Sequence, residues 1–275
     1  MKKTTFEDSL PALSEQGNNS LDLTTIVTIA KNHENGLQVT LNSIEKLENV
    51  SIEVILVVGS STDRTIEIAK KFIQSTGLRV KLILQTSSGI YEAMNEGLLA
   101  SSGSSVIFMN AGDCFENPFG LEELVKELSV SRAGVVVGGY SVDNLRKETY
   151  VKKRGELRPF TFAFNRTGGC HQSMLYDINC IKSLNLYPLE YRLAADFDLT
   201  LRIISSFGGR RIPELIALVE PGGVADKGII QVHKEKHRSR SILFGRKLIT
   251  AYSLFWCYAA IAKISIRRHV KNVFC

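Results

Sequence analysis

Apolar and polar residues follow two alternating patterns along the first half of the chain. Continuous apolar, β-branched runs predict buried strands at 24–30, 51–58, 78–84 and 105–109, because a strand covered on both faces needs no polar positions. Between these runs, apolar residues recur at helical spacing and predict amphipathic helices. Alternation of strand and helix at this spacing predicts an α/β fold with a mostly parallel sheet flanked by helices.

The second half of the chain is less regular. We predict strands at VVVGGYSVDN, KETYVKKRG and GCHQSMLY (169–176), then a helix over Ala195 to Phe207 and a strand near RRIPELIALV. These strands are expected to form a smaller mixed sheet beside the parallel one. From Ile229 the pattern becomes helical again.

The pattern divides the chain into three regions. Residues 1–22 are expected to be a flexible lead-in, and 23–228 one domain whose two halves meet near residue 115. Residues 229–275 are expected to be a basic, amphipathic, helical C-terminal region. The domain is long enough to bury a substantial core.

Charge separates the domain from the C-terminal region. The chain has a net charge of +6, but residues 231–275 hold ten lysines and arginines and a single acid, Glu235. The rest of the chain is mildly acidic, which disfavours a nucleic-acid-binding surface. The uncharged, aromatic-rich segment 248–262 is shorter than the roughly 20 residues that span a bilayer. We therefore expect a helix lying in the membrane surface or, alternatively, one packed on the domain.

Cysteine usage and the N-terminus indicate the compartment. Five cysteines without a C-x-x-C pair favour reduced thiols over a disulfide framework or a zinc site. The first twenty residues lack the apolar core of a secretory leader. We therefore expect a cytoplasmic protein.

The carboxyl ends of the predicted parallel strands are where such sheets bind ligands. They read AKNHENG (30–36), VGSSTDRT (58–65), QTSSG (85–89) and NAGDC (110–114). A carboxylate at the last of these, Asp113, is suited to bind Mg²⁺ or Mn²⁺ and, through the cation, phosphate oxygens. The same residue types also form ordinary turns, which is the alternative at this point.

Seven motifs, in order, resemble those of the family 2 glycosyltransferases, which have the GT-A fold. The likeness is strongest to transferases of capsule and exopolysaccharide clusters of the colanic acid type, and GIYEAMNEG is its most specific motif. The motifs are TIVTIAKN, SSTDRT, GIYEAMNEG, FMNAGD, CHQSML, AADFDL and PGGVAD.

The resemblance implies a glycosyltransferase that moves a sugar from a nucleotide-diphosphate donor to an acceptor hydroxyl, with inversion and a divalent cation (Mn²⁺ or Mg²⁺). Asp196 falls on the position of the catalytic base and Asp113 on the metal-binding acid. Positions on the acceptor or phosphate side fall on His171, Gln172, Gly222 and Gly223. Donor-binding positions fall on Thr28, Ala30, Asn32, Asp63, Gly89, Tyr91, Asn95 and Asn110.

Alternatives remain for several of these residues. Asp196 could instead be a first-turn acid that stabilises its helix, and His171 a structural residue on a strand. Two acids that most members place on the nucleotide-base side are replaced, by Val58 and by Ser87. A valine cannot accept a hydrogen bond from a base. A degenerate, non-catalytic member that serves as a binding partner in a polysaccharide assembly complex is therefore the alternative function.

The leading hypothesis is an enzyme of bacterial exopolysaccharide, capsule or O-antigen biosynthesis. Its acceptor is expected to be a glycan or a lipid-linked oligosaccharide, with no nucleic acid involved. We expect it on the inner face of the cytoplasmic membrane, held peripherally through 231–271, since basic aromatic helices are attracted to anionic lipids.

Overall fold

The computed structural model describes residues 23–142, 147–149, 153–164, 169–223 and 228–245. The predicted lead-in, the segment 248–262 and most of the proposed membrane contact 231–271 lie outside these residues. Within the described ranges, no helix combines the length and apolar character needed to cross a bilayer.

The predicted alternation of strands and helices in the first half is confirmed. All neighbouring strands of this half pair in parallel, in the order β3-β2-β1-β4. The elements are β1 (Thr24–Ala30), α1 (Glu34–Ile44), β2 (Ile52–Val58), α2 (Thr65–Ser75), β3 (Arg79–Leu84), α3 (Ile90–Ala100) and β4 (Ser105–Phe108).

The second half adds six strands and five helices that the structure describes. A single turn of 3₁₀ helix, His171–Ser173, comes directly before β9. The elements are β5 (Cys114–Phe115), α4 (Gly120–Ser131), β6 (Val135–Val142), β7 (Lys147–Thr149), β8 (Gly155–Glu156), α5 (Pro159–Phe164), β9 (Met174–Asp177), α6 (Ile178–Ser183), α7 (Ala195–Phe207), β10 (Gly209–Val219) and α8 (Ile229–Phe244).

The strands of both halves belong to one sheet. Its order is β3-β2-β1-β4-β9-β6-β10-β5, with β7 paired to β6 and β8 to β10. The expected smaller, mixed group of strands is present, but it continues the parallel strands because β9 pairs antiparallel with β4. Helices cover both faces, and the central strands are buried on both sides.

The strand predicted at 169–176 is wrong in its first half. The amide and hydroxyl of Ser173 both donate to the carbonyl oxygen of Cys170, at 2.9 Å each. These bonds close a turn, so His171 and Gln172 lie on a 3₁₀ helix and the strand begins at Met174.

Strand register brings distant segments to one edge of the sheet. Ile107 of β4 lies opposite Leu175 of β9, so the turn before β9 lies beside the residues after β4. On the other side, Leu218 of β10 lies opposite Cys114 of β5, which puts the end of β10 beside Asp113. Two antiparallel pairings thus assemble the candidate site.

At the opposite edge of the sheet, a buried acid joins the start of β2 to the start of β1 and to the loop before β4. Glu53 of β2 is 4% exposed and accepts hydrogen bonds from Thr25 Oγ1 (2.6 Å), the amide and hydroxyl of Ser102 (2.6 Å each) and the amide of Gly103 (3.0 Å). Burial raises the pKa of Glu53, but these hydrogen bonds outweigh it and hold the pKa below the ordinary value. The charge therefore persists in the folded protein.

Candidate active site

Asp113 lies at the carboxyl end of β4, as predicted, and is 6% exposed. Its Oδ1 accepts the backbone amide of Glu220 at 2.9 Å, and its Oδ2 accepts Gln172 Nε2 at 2.5 Å. Burial raises the pKa of Asp113, although these two hydrogen bonds act in the opposite direction. The carboxylate is held in one orientation, and each oxygen keeps a lone pair for a further ligand.

Asp196 lies in the first turn of α7, and its side chain is 27% exposed. Tyr91 Oη donates to Oδ1 at 3.1 Å, and His171 Nδ1 lies 3.5 Å from Oδ2. Burial raises the pKa of Asp196, but the hydrogen bond and charge of His171 and the charge of Lys236 outweigh it, and the net pKa is lowered. Asp196 is therefore an ionised carboxylate at neutral pH.

The 3₁₀ turn before β9 connects the two acids. His171 contacts Asp196, while the next residue, Gln172, donates to Asp113. Gln172 is itself held by the thiol of Cys170, which donates to its Oε1. Because one short turn contacts both carboxylates, their relative position is fixed by residues that are adjacent in the chain.

A hydrogen bond joins His171 to Asn110 of the predicted metal motif, FMNAGD (108–113). Asn110 Nδ2 lies 3.1 Å from His171 Nε2, and because the amide nitrogen only donates, the neutral ring carries its proton on Nδ1 and donates to Asp196. This arrangement leaves Asn110 Oδ1 buried without a hydrogen-bond partner. An unpaired buried oxygen is costly unless a ligand completes it.

Tyr91 and Asn95 of α3 both contact the segment before α7. The Tyr91 ring stacks on Tyr187 with centroids 5.4 Å apart. Both ends of the Asn95 amide bond to the Tyr187 backbone, at 3.0 Å each. Tyr91 thus reaches the candidate base, while Asn95 fixes the loop beneath it, and its role as a donor contact stays a prediction.

Two other predicted donor residues connect neighbouring loops at the strand ends. Asn32 Oδ1 accepts the amide of Thr62 at 2.8 Å, and Asp63 accepts the amides of Glu34 (3.1 Å) and Thr65 (3.0 Å). The bond to Thr65 lies at the start of α2. These contacts hold the β1–α1 and β2–α2 loops together.

The remaining predicted residues occupy different environments. Thr28 is fully buried, with its hydroxyl unpaired, and Ala30 is 8% exposed at the end of β1. Gly89 is the N-cap of α3 and has φ +138°, a conformation that favours glycine. Gly222 and Gly223 lie in the exposed turn after β10, with open space where a side chain would project. Thr28 is therefore the one in this group placed farthest from solvent.

A pair that the sequence did not predict lies over the metal motif. His33 Nε2 is 2.7 Å from Glu220 Oε2, so the loop after β1 is joined to the end of β10. A Cβ on Gly112 would lie 2.0 Å from that Glu220 oxygen. A cleft of about 450 Å³ opens beside the pair, lined by residues that include Asn32, His33, Asp63, Gly112, Cys114 and Glu220.

Val58 and Ser87, which stand where most family members have acids, differ in their surroundings. Val58 is 1% exposed and packs in the core. Ser87 donates to Glu96 Oε1 at 2.6 Å and accepts from Gln85 Nε2 at 3.3 Å. The carboxylate of Glu96, two turns along α3, thus lies next to Ser87. The sequence did not indicate that an acid from the helix would lie beside this position.

Helix α8 supplies two more residues that sequence reasoning missed. Glu235 accepts backbone hydrogen bonds from the segment that leads into α7. Lys236 Nζ lies 5.1 Å from the centre of the Phe197 ring, and Phe197 directly follows Asp196. The only signal in the sequence was that Glu235 is the single acid of a basic region.

Comparison with known proteins shows that the chain is similar to glycosyltransferases. The chain is 29% identical over 170 residues to a Mycobacterium bovis protein named PGL/p-HBAD biosynthesis glycosyltransferase, covering 62% of this chain and 65% of that protein. It is 34% identical over 119 residues to the glycosyltransferase GlyA of Streptococcus pneumoniae, covering 43% of this chain and 17% of GlyA. The chain thus spans about two thirds of the first relative and a smaller part of the second.

Solved structures share the fold at low sequence identity. Residues 1–349 of S. aureus TarS in complex with UDP-GlcNAc superpose with a TM-score of 0.65 at 17% identity, covering 79% of this chain and 66% of that fragment. The mannosyltransferase PcManGT of Pyrobaculum calidifontis, in complex with GDP-Man and Mn²⁺, gives 0.64 at 16% identity, covering 90% and 76%. The predicted GT-A fold is confirmed. Since residues 25–187 also match the family model described as Glycosyl transferase family 2, the chain belongs to glycosyl transferase family 2.

Proposed function

We propose that the protein transfers a sugar from a nucleotide-diphosphate donor to an acceptor hydroxyl, with Asp196 as the general base. The observation that carries this proposal is the joint placement of Asp196 and Asp113 by His171 and Gln172. One acid is partly open to solvent and ionised, and the other lies at the strand end where the family places its metal.

Asp196 has the surroundings of a base rather than of a helix cap. The N-cap of α7 is Ala194, and no side chain of its own caps the helix. The carboxylate of Asp196 instead contacts Tyr91 and His171, which orient it. In the proposed reaction the acceptor oxygen attacks the anomeric carbon, Asp196 takes the hydroxyl proton, and the bond from that carbon to the diphosphate oxygen breaks, with inversion.

The residues of the metal motif fit a hard divalent cation such as Mn²⁺ or Mg²⁺. Among the residues that the structure describes, no three histidines, cysteines or acids form a cage for a metal. One carboxylate, from Asp113, and the unpaired Asn110 Oδ1 are nevertheless the kind of set to which substrate phosphates add the remaining ligands. When bound, the cation would supply charge stabilisation for the departing diphosphate.

Nucleotide release from a panel of UDP- and GDP-sugars, with Mn²⁺ and a mixture of glycan acceptors, tests the function. We expect turnover by the wild type, a loss of about 10²- to 10⁴-fold in D196N, and loss of the Mn²⁺ response in D113N. The matched control is D177N, because Asp177 is an ordinary N-cap that accepts the amides of Asn179 and Cys180. An inactive wild type with every donor would instead favour the non-catalytic binding partner.

We further propose peripheral attachment to an anionic membrane, where a lipid-linked acceptor of surface polysaccharide synthesis would be met. Phe160 of α5 is 64% exposed and lies against Phe164 and Phe244. Ile242, two residues before Phe244 at the end of α8, is 70% exposed. Helix α8 also carries basic residues. Apolar side chains beside basic ones suit the surface of an anionic bilayer.

Co-sedimentation with vesicles tests the attachment. Anionic vesicles should pellet the wild type, neutral vesicles should not, and F160S/I242S should bind several-fold less. L99S/V130S is the matched control, since Leu99 and Val130 are 70% and 84% exposed elsewhere on the domain. Equal binding by the two double variants would contradict the proposed surface.

A further inference from the structure

The helix that carries Asp196 begins without a cap of its own. The first amide groups of any α-helix have no partner within the helix, and a Ser, Thr, Asp or Asn at the N-cap usually accepts one of them. In α7 the N-cap is Ala194, and no side-chain cap bond forms there. Contacts from elsewhere in the fold therefore hold the chain where it enters the helix.

Glu235 of α8 makes such contacts with the N-cap and the two residues before it. Its Oε1 accepts the amide of Arg192 at 3.1 Å, and its Oε2 accepts those of Leu193 and Ala194 at 2.9 Å each. Gln231 Nε2 donates to Oε1 at 2.8 Å. The side chain is 5% exposed, so three consecutive backbone amides converge on one buried carboxylate two residues before Asp196.

The rest of α8 reinforces this contact. Ser239, one turn after Glu235, lies 3.2 Å from Tyr191 Oη. On the neighbouring face, Lys236 and Arg240 both lie 5.1 Å from the Phe197 ring centre. Helix α8 therefore contacts the chain on both sides of Asp196, at Tyr191 to Ala194 and at Phe197.

Glu235 is ionised in this environment. Burial raises its pKa, but the hydrogen bonds from Gln231 and the three amides outweigh burial, and the net pKa is lowered. A charged acceptor makes stronger hydrogen bonds than a neutral one, and a negative charge at a helix start also interacts favourably with the helix dipole.

We propose that Glu235 is a positioning residue for sugar transfer, fixing the start of α7 and thereby the carboxylate of Asp196; this inference rests on Asp196 acting as the base. Small displacements of a catalytic group cost large factors in rate. Loss of the Glu235 charge should therefore lower kcat and leave the KM for the donor unchanged, because the predicted donor residues lie on other elements.

The test compares E235Q with E53Q in the full chain. Glu53 is a matched control because it is also buried, also accepts several hydrogen bonds, and lies at the opposite end of the strands. Initial rates of transfer are measured well below both unfolding temperatures. We expect kcat to fall by about 10- to 100-fold in E235Q and by less than about twofold in E53Q, with donor KM unchanged in both.

A double-variant cycle supplies a readout that general destabilisation does not move. If Glu235 acts through Asp196, D196N/E235Q should be no slower than D196N, since residues that act as a unit are not additive. If the wild type is active and kcat of E235Q equals that of E53Q, the inference is wrong while the proposed function stands. The same holds if the rate losses of D196N and E235Q multiply in the double variant. An inactive wild type overturns the proposed function and this inference with it.

Discussion

Gln172 Nε2 donates a hydrogen bond to Asp113 Oδ2 at 2.5 Å. This bond from the turn before β9 helps to fix the carboxylate that follows β4. The residue before Gln172 contacts Asp196. A displacement of this one turn therefore moves both acids together. In the proposed reaction, this turn would link the metal position to the position of the base.

Removing the Gln172 side chain should weaken the metal site. Q172A leaves the buried Asp113 carboxylate with one donor fewer, and among the described residues the Glu220 amide is then the remaining hydrogen-bond donor to it. We expect the Mn²⁺ concentration for half-maximal turnover to rise several-fold. Q38A is the control, because Gln38 is exposed and bonds to Asn42 within α1; an equal response in Q38A would contradict the prediction.

Removing His171 should move the acid limb of the pH profile. His171 is the leading influence that lowers the pKa of Asp196 against burial. In H171A burial and the charge of Lys236 remain while the hydrogen bond and charge of His171 are lost, so the pKa of Asp196 rises. The acid limb of kcat/KM for transfer should then shift to higher pH. An unchanged limb would show that a different group governs it.

Gly112 has a backbone conformation that other residues rarely adopt. Its φ is +101°, and an added Cβ would lie 2.0 Å from Glu220 Oε2. The Glu220 side chain is about half exposed and can move away, but the backbone strain persists. We expect G112A to lower the free energy of unfolding by about 1–2 kcal/mol, measured by urea denaturation. G155A, which has open space and no such φ, should change it by less than about 0.5 kcal/mol.

Glu53 should give the protein a defined pH dependence of stability. The folded pKa of Glu53 is lowered from its ordinary value of 4.5. Its contribution is therefore fully present above that value and is lost as pH falls through the lowered folded pKa. E53Q should cost about 1–3 kcal/mol near pH 7, and the difference from wild type should shrink in more acidic urea titrations. A constant difference down to acid unfolding would contradict this assignment.

Local patterns predicted the elements of the first half because each strand and helix there follows its own periodicity. The start of β9 was misplaced because the bonds from Ser173 to Cys170 form a turn directly before the apolar residues Met174 to Tyr176. The continuity of the sheet was not predictable either. The antiparallel pairing of β9 with β4 joins segments that lie far apart in the sequence.

The two acids and the side chains that contact them were found through motifs, but the pair His33–Glu220 and the residue Glu235 were not. His33 and Glu220 meet only because β10 ends beside the loop after β1. Glu235 appeared in the sequence as one acid among basic residues, a feature of composition. Its role depends on α8 folding back over the start of α7, and no local pattern contains that information.

The dependence of α7 on α8 also sets an order of assembly during synthesis. A ribosome makes the chain from its N-terminus, and folding follows that direction. Asp113, the strands and Asp196 all emerge before Glu235 does. A nascent chain can thus complete its sheet while the amides of Arg192 to Ala194 still lack their acceptor. The chain around Asp196 then reaches its final arrangement only after α8 has been translated.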